Sequence, residues 1–351
     1  CATVIGDGNP GGKDPDRLEV VERGSLAIYR PDQRLEKLPV IPTVSVIIPA
    51  RNACVWLPAT IDSVLQQSWK NLELLVVDDR SDDGTSEIVR GVKDARVRLL
   101  EGPGRGAAAA RNVGLAEARG AWLMFLDADD LLSSEKIERQ LHALRDRSDC
   151  VASCGWARFA ATTDNLVLRP ERCWREPTPL AWLQSSLSGG GMMQTACWLI
   201  SRHTAEQAGP WNEQLSLHDD GEYFTRVLLA SEQNIFVDDC HVAYRNVPGS
   251  LSRRRGMAAV KSAFDVCKLR EEHLLKVDQS PKTLKAVAIQ WLQYLYEFSA
   301  AESEYAVMAS RRIRQLHVSV PPVVGGRTFR CFQKLLGWQN AIRLRNFVRV
   351  P

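Results

Sequence analysis

The sequence predicts an α/β fold: an open, mostly parallel sheet flanked by helices, with a helical extension at the C-terminus. Three observations predict it. The runs VSVIIP (44–49), LELLVV (72–77) and AWLMFL (121–126) are continuously apolar, as expected of strands covered on both faces. Helical segments separate them, and regular alternation of strand and helix implies a parallel sheet. Two of the runs lead into clustered acids, Asp78-Asp79 and Asp127-Ala128-Asp129-Asp130. The carboxyl ends of parallel strands are where such a sheet binds its ligand.

Residues 1 to about 16, rich in Gly, Pro and Asp, read as an unstructured leader rather than a signal peptide. A charged extension with some strand character near Ser25–Tyr29 completes an N-terminal segment, 1–42. After the first strand, a helix over about 56–68 has Leu57, Ile61, Val64 and Leu65 on one face. The second strand is followed by a short helix over 85–92, a strand VRLL (97–100) and an Ala-rich helix over 107–118. The fourth strand, 121–126, leads to a helix over about 134–147. Further on, VASCGWARFA and QTACWLIS (194–201) read as strands on either side of an irregular 162–191. Helices then start near His203 and Asp220, and a strand pair follows over 235–245. These elements make one domain, 43–250, followed by a helical extension, 251–317, and a basic tail, 318–351.

Composition excludes several classes. A net charge of +3 over 351 residues gives no reason to expect nucleic acid as a partner. Nine cysteines without a C-x-x-C pair suggest neither a disulfide framework nor a zinc site, so a reducing, cytoplasmic location is expected. No run of about 18 apolar residues is present, so no transmembrane helix is expected. The charge is unevenly distributed, however. From Arg311 to Pro351 there are nine Arg and Lys residues and no Asp or Glu. Within 328–348, Phe329, Phe332, Leu335, Leu336, Trp338 and Ile342 lie among these cations. That pattern suits a helix on an anionic membrane surface, at the inner face of the membrane. An amphipathic helix docked on its own protein is the slightly favoured alternative.

Four or more acids converging at strand ends need a cation or a polyhydroxyl ligand to offset their repulsion. Asp79 at the second strand end suits a base N–H or a ribose hydroxyl, whereas Ser81, Asp82 and Asp83 are accounted for by a turn and helix cap. Asp127 and Asp129 form a D-x-D, spaced to share Mg²⁺ or Mn²⁺ with diphosphate oxygens. Helix capping is the bland reading of that motif. Gly102, Gly104 and Ala107 imitate a dinucleotide fingerprint, but Pro103 and the position after the third strand argue for a flexible loop. That loop would set Arg105 or Arg111 near phosphate; for Arg111, a solvated helix residue is an equal alternative. Asp219-Asp220-Gly221-Glu222 opens a helix with Tyr223, Phe224, Val227 and Leu228 on its apolar face. Its acids suit either the helix dipole or a general base.

Taken together, VSVIIPARN, DDRSDDGT, RGAAAARNVGLAEARGAWLMFLDADD and HDDGEYFTRVLLA resemble a family 2 glycosyltransferase of the GT-A fold, over about residues 43–250. The resemblance implies inverting transfer of a sugar from a nucleotide-diphosphate donor to a saccharide or lipid-linked acceptor, in surface polysaccharide or glycoconjugate synthesis. It implies that Pro49 and Asn52 lie in the first nucleotide loop and that Asp79 contacts the nucleobase. Arg111 would stand near the donor, Asp127 on ribose or sugar, Asp129 on the metal, and Asp220 would be the base. Arg51 departs from the family's usual Tyr, and Asp219 from its usual Glu. A non-catalytic nucleotide-sugar-binding relative is the alternative function.

Overall fold

The computed structural model describes residues 43–247, 256–298 and 303–349. The N-terminal segment lies outside the described residues, as does the basic run Leu251–Arg255, which the sequence offers as a loop to close over phosphate. The main sheet has the order β3-β2-β1-β4-β7, with β1 Val44–Ala50, β2 Leu72–Asp78, β3 Val97–Glu101, β4 Trp122–Phe125 and β7 Ile200–Ser201. The first four are parallel, and β7 closes the edge antiparallel to β4. Helices α1 (Leu57–Leu65), α2 (Thr85–Gly91) and α3 (Ala107–Glu117) connect them as the alternation predicts. The chain runs outward from β1 to β3, then returns to place β4 on the other side of β1. The order reverses between β1 and β4, and beyond the carboxyl ends of these two strands is the crevice where an open parallel sheet is expected to take its ligand.

Pro49 sits in central β1, where a missing amide would normally break a ladder. Ile47 O accepts from Leu126 N, and Ala50 O accepts from Asp79 N. Odd-numbered residues of β1 therefore face β4, which ends at Phe125 opposite Ile47. The imide of Pro49 thus points to a side with no remaining strand partner.

A second sheet, β5-β8-β6, lies beside the first: β5 Leu131–Leu132, β6 Cys150–Phe159 and β8 Gln233–Arg245. The strand pair expected at 235–245 is one thirteen-residue strand. Its parallel register with β6 shifts between Cys154 and Gly155, leaving residues 238–240 without partners on β6. This bulge lets Asp238 and Asp239 turn outward to Arg175 and Arg139 within a strand that otherwise continues.

Two other expectations need correction. Residues 194–201 hold a single 3₁₀ turn, Thr195–Cys197, and only the two residues of β7 as strand. Gln194 Oε1 accepts from Ala196 N, which closes the turn locally in place of a ladder bond. The stretch 162–191 is not wholly irregular, since it holds α5 (Pro179–Ser185). Thr178 caps α5 and Pro179 occupies its first turn, so the proline starts the helix rather than breaking one. Helices α4 (Lys136–Leu144), α6 (Arg202–Ala208) and α7 (Asp219–Leu229) complete this part.

The C-terminal helices are α8 (Met257–Val277), α9 (Pro281–Phe298), α10 (Glu304–Gln315) and α11 (Arg327–Arg349). α8 packs on α7, and Ser262 Oγ donates to Leu217 O while accepting from Ser216 N and Leu217 N. α9 follows by packing Trp291 on Phe264, with ring centroids 5.0 Å apart. None of the described helices is long and apolar enough to cross a membrane.

The end of the sheet opposite the crevice is tightly knit. Ser45 Oγ donates to Glu73 Oε1 at 2.6 Å and accepts from Gly120 N at 2.8 Å. A Cβ on Gly120 would stand 2.5 Å from Ser45 N and 2.7 Å from Val44 C, both backbone atoms that cannot swing aside. Gly120→Ala is therefore expected to destabilise the protein by about 1–3 kcal/mol, read from urea unfolding. A change within a few tenths of a kcal/mol would show that β1 and the turn before β4 are less closely seated.

Candidate active site

Three loops and one helix terminus converge on the crevice, and short hydrogen bonds determine where each points. After β1 the chain turns at Asn52, which has a left-handed φ of 51°. Its amide donates to Ser81 Oγ, and its Oδ1 accepts from Asp82 N, so the β1 and β2 loops hold each other. Asp78 is occupied within the turn, accepting from Ser81 N and from the Ser81 and Ser86 hydroxyls. Asp83 accepts from Cys54 N, Thr85 N and Thr85 Oγ1. Burial works against its charge, but these donors hold its carboxyl down at about 2. The turn expected at Ser81–Asp83 is present, but the N-cap of α2 is Gly84, without a side-chain cap; Asp83 sits one residue before it, holding Thr85 and tying across to the β1 loop.

Asp79 is buried, and its two oxygens accept from Gly104 N and Gly106 N, each at 2.7 Å. It grips the glycine loop that the sequence reading took as flexible. Gly104 and Gly106 have φ of 77° and 99°, a region open chiefly to glycine, which is how two amides turn toward one carboxylate. Arg105 leaves the loop outward and pairs with Glu213 at 3.0 Å.

Arg111 is the centre of the site. It is buried, contrary to the solvated-helix reading, because α3 packs directly over the sheet. Its guanidinium donates to Asp127 Oδ1 and to Asp219 Oδ2, both at 2.8 Å. The guanidinium lies 4.4 Å from the centroid of the Trp211 ring, and that indole stacks on Tyr223 at 4.0 Å. Burial alone would lower the affinity of Arg111 for its proton, but Asp219 and Asp127 outweigh it and raise the pKa. Its Nε is buried without a partner, since both carboxylates are taken by the terminal nitrogens. Next to it, the Asn112 amide donates to Trp211 O and Glu213 Oε1 and accepts from Trp211 N. One Arg-Asn pair therefore ties the β4 terminus to the loop that enters α7.

Beyond β4 the D-x-D acids diverge. Asp127 is 31% exposed on its side chain and faces the crevice from beside Arg111. Burial, with Asp127 close by, pushes the Asp129 carboxyl up to about 6, and among the described residues no side chain donates to it. Asp130 is fully buried and accepts from Arg245 N and Gln194 Nε2. Burial and the neighbouring Asp127 and Asp129 raise it well above the usual carboxylate range. Arg245 in turn donates Nε–H to Asp129 O, and its guanidinium lies over the rings of Phe159 and Trp56. The D-x-D is thus braced by Gln194, which sequence reasoning missed, and by Arg245. Neither belongs to a local pattern; each reaches the acids from more than sixty residues away.

On the opposite wall, His218 takes a left-handed φ of 58° and sets Asp219 and Asp220 at the α7 terminus. A side chain other than Gly, Asn or Asp held there stores backbone strain. Asp219 is spent on Arg111, and burial raises its pKa. Asp220 is partly exposed; its Oδ1 accepts from Gly221 N, and no side chain donates to it among the described residues. Glu222 points away from the crevice, toward Arg226 and His273, so it serves the helix and not the site. Arg270 of α8 stands behind this terminus, donating to Thr225 Oγ1 at 3.1 Å.

Residues that could hold a divalent cation are Asp127 and Asp129. The half-buried Asp129 carboxyl, without a side-chain donor among the described residues and beside a second carboxylate, is a setting that a hard cation would relieve. Among the described residues no group of three His, Cys, Asp or Glu is placed to hold a metal. An ion held by Asp127 and Asp129 alone would need its remaining ligands from substrate oxygens and water.

Removing Arg111 would leave Asp127 and Asp219 facing each other without a cation. Arg111→Met is expected to cost about 3 kcal/mol in urea unfolding, the low end for a broken buried pair because Asp127 is partly solvated. An unaltered midpoint would remove Arg111 from the centre of the structure. For Asp83 the folded pKa lies below the usual 3.8, so its contribution is complete above about pH 4 and fades as pH falls toward 2. Wild type should lose stability relative to Asp83→Asn across that window, and parallel acid-unfolding curves would contradict it.

A family model described as Glycosyl transferase family 2 matches residues 45–206. A Haemophilus influenzae glycosyltransferase is 44% identical over 105 residues, 29% of this chain and 42% of that protein. The Bacillus subtilis glycosyltransferase TuaG, named for teichuronic acid biosynthesis, is 30% identical over 242 residues, 67% of this chain and 91% of TuaG. WfaP of Escherichia coli, a UDP-Glc:α-D-GlcNAc-diphosphoundecaprenol β-1,3-glucosyltransferase, is 41% identical over 100 residues, 28% of this chain and 40% of WfaP. The chain thus spans less than half the length of the Haemophilus protein and of WfaP. Among solved structures, S. aureus TarS 1-349 in complex with UDP-GlcNAc superposes with a TM-score of 0.65 at 18% identity, covering 88% of this chain and 91% of that one. That likeness is one of fold, a mostly parallel sheet flanked by helices with further helices at the C-terminus. From the family match and the identity to TuaG across nearly all of its length, the chain belongs to glycosyltransferase family 2.

Proposed function

We propose that this protein is an inverting glycosyltransferase, moving a sugar from a nucleotide-diphosphate donor to an acceptor hydroxyl in surface polysaccharide or glycoconjugate synthesis. The observation that carries this reading is the Arg111 bridge, which sets the D-x-D carboxylates and the Asp219-Asp220 pair on facing walls of one crevice. The relatives' names support the substrate class: WfaP uses UDP-Glc and a lipid-diphosphate-linked acceptor, and TarS was solved with UDP-GlcNAc. A cytoplasmic site of action, beside a membrane that carries a saccharide or lipid-linked acceptor, goes with this chemistry.

In this reading the nucleoside lies along Pro49, Asn52 and the Asp79 loop. Asp79 already holds two glycine amides, so it shapes that wall and meets the base with its remaining lone pairs. Asp127 receives the ribose or sugar, and Arg111 keeps its carboxylate oriented. Asp127 and Asp129 would hold Mg²⁺ or Mn²⁺, which supplies charge neutralisation on the departing diphosphate. Asp220 accepts the proton of the acceptor hydroxyl as that oxygen attacks the anomeric carbon opposite the diphosphate, inverting the configuration. Because Asp219 is committed to Arg111, the two adjacent acids divide into one structural carboxylate and one available base.

The test is turnover of a nucleotide-sugar panel by the full chain with Mn²⁺, with the product anomer assigned by NMR. Asp220→Asn is expected to lower transfer by on the order of 10² to 10⁴ while donor affinity changes only severalfold. Chelation or Asp129→Asn should abolish productive donor binding. If Asp220→Asn kept most of its activity while Asp129→Asn lost it, the base assignment would fail. Donor binding without any turnover would instead favour a non-catalytic nucleotide-sugar binder.

A further inference from the structure

α11 meets the body with one face and presents a different surface to solvent. Phe329, Gln333, Ala341 and Ile342 are buried, with the Phe329 ring 4.8 Å from that of Tyr296 on α9. Arg345 is placed over the same Tyr296 ring, at 4.2 Å. The helix is therefore docked on its own protein, the alternative favoured from composition. Docking consumes only part of it. Arg327, Arg330, Cys331 and Lys334, spaced i, i+3, i+4 and i+7, form an exposed stripe on the opposite side. Leu335 follows at 79% exposure and Leu336 at 47%, directly before Gly337, whose φ of 74° breaks the helix. Arg343 beyond the break is exposed as well.

Two features set this stripe apart from an ordinary solvated face. A solvated face intersperses both signs of charge, but the segment from Arg311 to Pro351 contains no acid. Arg312 has its charge met by Glu271 of α8, whereas Arg327, Arg330, Lys334 and Arg343 make no ion pair among the described residues. The second feature is Leu335, highly exposed beside those cations just before the helix break. A soluble polyanion would engage the cations and gain nothing from the leucine. An interface with charged headgroups above acyl chains engages both.

We propose that this face of α11 binds an anionic lipid bilayer, with Arg327, Arg330 and Lys334 at headgroup phosphates and Leu335, at the edge of the stripe, entering the acyl boundary. As a location for the enzyme it rests on the transferase reading above; as a lipid contact it needs no turnover. The test is co-sedimentation of the full chain with vesicles of phosphatidylcholine alone or mixed with phosphatidylglycerol. Wild type should bind only the anionic vesicles, less tightly as salt increases. Arg327→Gln/Arg330→Gln/Lys334→Gln should weaken binding on the order of 100-fold, three charges at about fivefold each. Leu335→Ser should weaken it about tenfold. All four positions are exposed, and near-UV circular dichroism checks that each variant stays folded. Equal binding to neutral vesicles, no binding, or wild-type binding by the triple variant would overturn the proposal. So would a leucine variant that binds unchanged, which would identify a polyanion site instead. Nucleotide-sugar turnover measured on the same samples separates the two readings: turnover without vesicle binding removes the lipid contact and keeps the transferase.

Discussion

The site depends on one buried cation shared by two carboxylates. Arg111 belongs to α3, Asp127 to the end of β4, and Asp219 to the first turn of α7. A guanidinium can do this because its planar fork serves two acceptors at once and keeps its charge when buried. The arrangement is costly in isolation, since each ion must leave water. It holds because every member has a partner and the Trp211 and Tyr223 rings support the fork from one side.

Around that bridge the acids take different tasks through their surroundings rather than their chemistry. Asp83 has three donors and stays ionised far below neutrality. Asp130, enclosed with only an amide and a glutamine as donors, is pushed upward. Asp129 lies between these, desolvated but without a side-chain donor, and this is the setting that suits an incoming cation. The C-terminal helices contribute to the same machinery, because Ser262 of α8 holds the loop that leads into the Asp219-Asp220 terminus. The α7 wall of the site and the helical extension are thereby one packed unit.

Much of the fold was legible in the sequence. The four parallel strands, the helices between them and the apolar face of α7 follow from the pattern of buried positions. The misreadings share a physical cause. Within 162–191, read as irregular, Pro179 starts a helix, because proline serves both as breaker and as first-turn residue and only the Thr178 cap distinguishes them. At 194–201 a β-rich composition was overridden by a glutamine closing its own turn. Over 235–245, read as a strand pair, a bulge ejects two acids without ending the strand.

The sequence by itself determined the strand-end acids, the Ala-Arg-Asn segment and the acid pair before an aromatic helix. Short-range rules of burial, capping and spacing act there, so the residue types carry the signal. Only the tertiary structure decided which acid does what. It committed Asp219 to Arg111 and left Asp220 without a side-chain donor among the described residues, gave Asp79 a glycine loop to hold, and brought Gln194 and Arg245 to brace the D-x-D. Those assignments depend on contacts between residues about 25 to more than 100 positions apart, and on burial that strengthens a charge when it is paired and suppresses it when it is not.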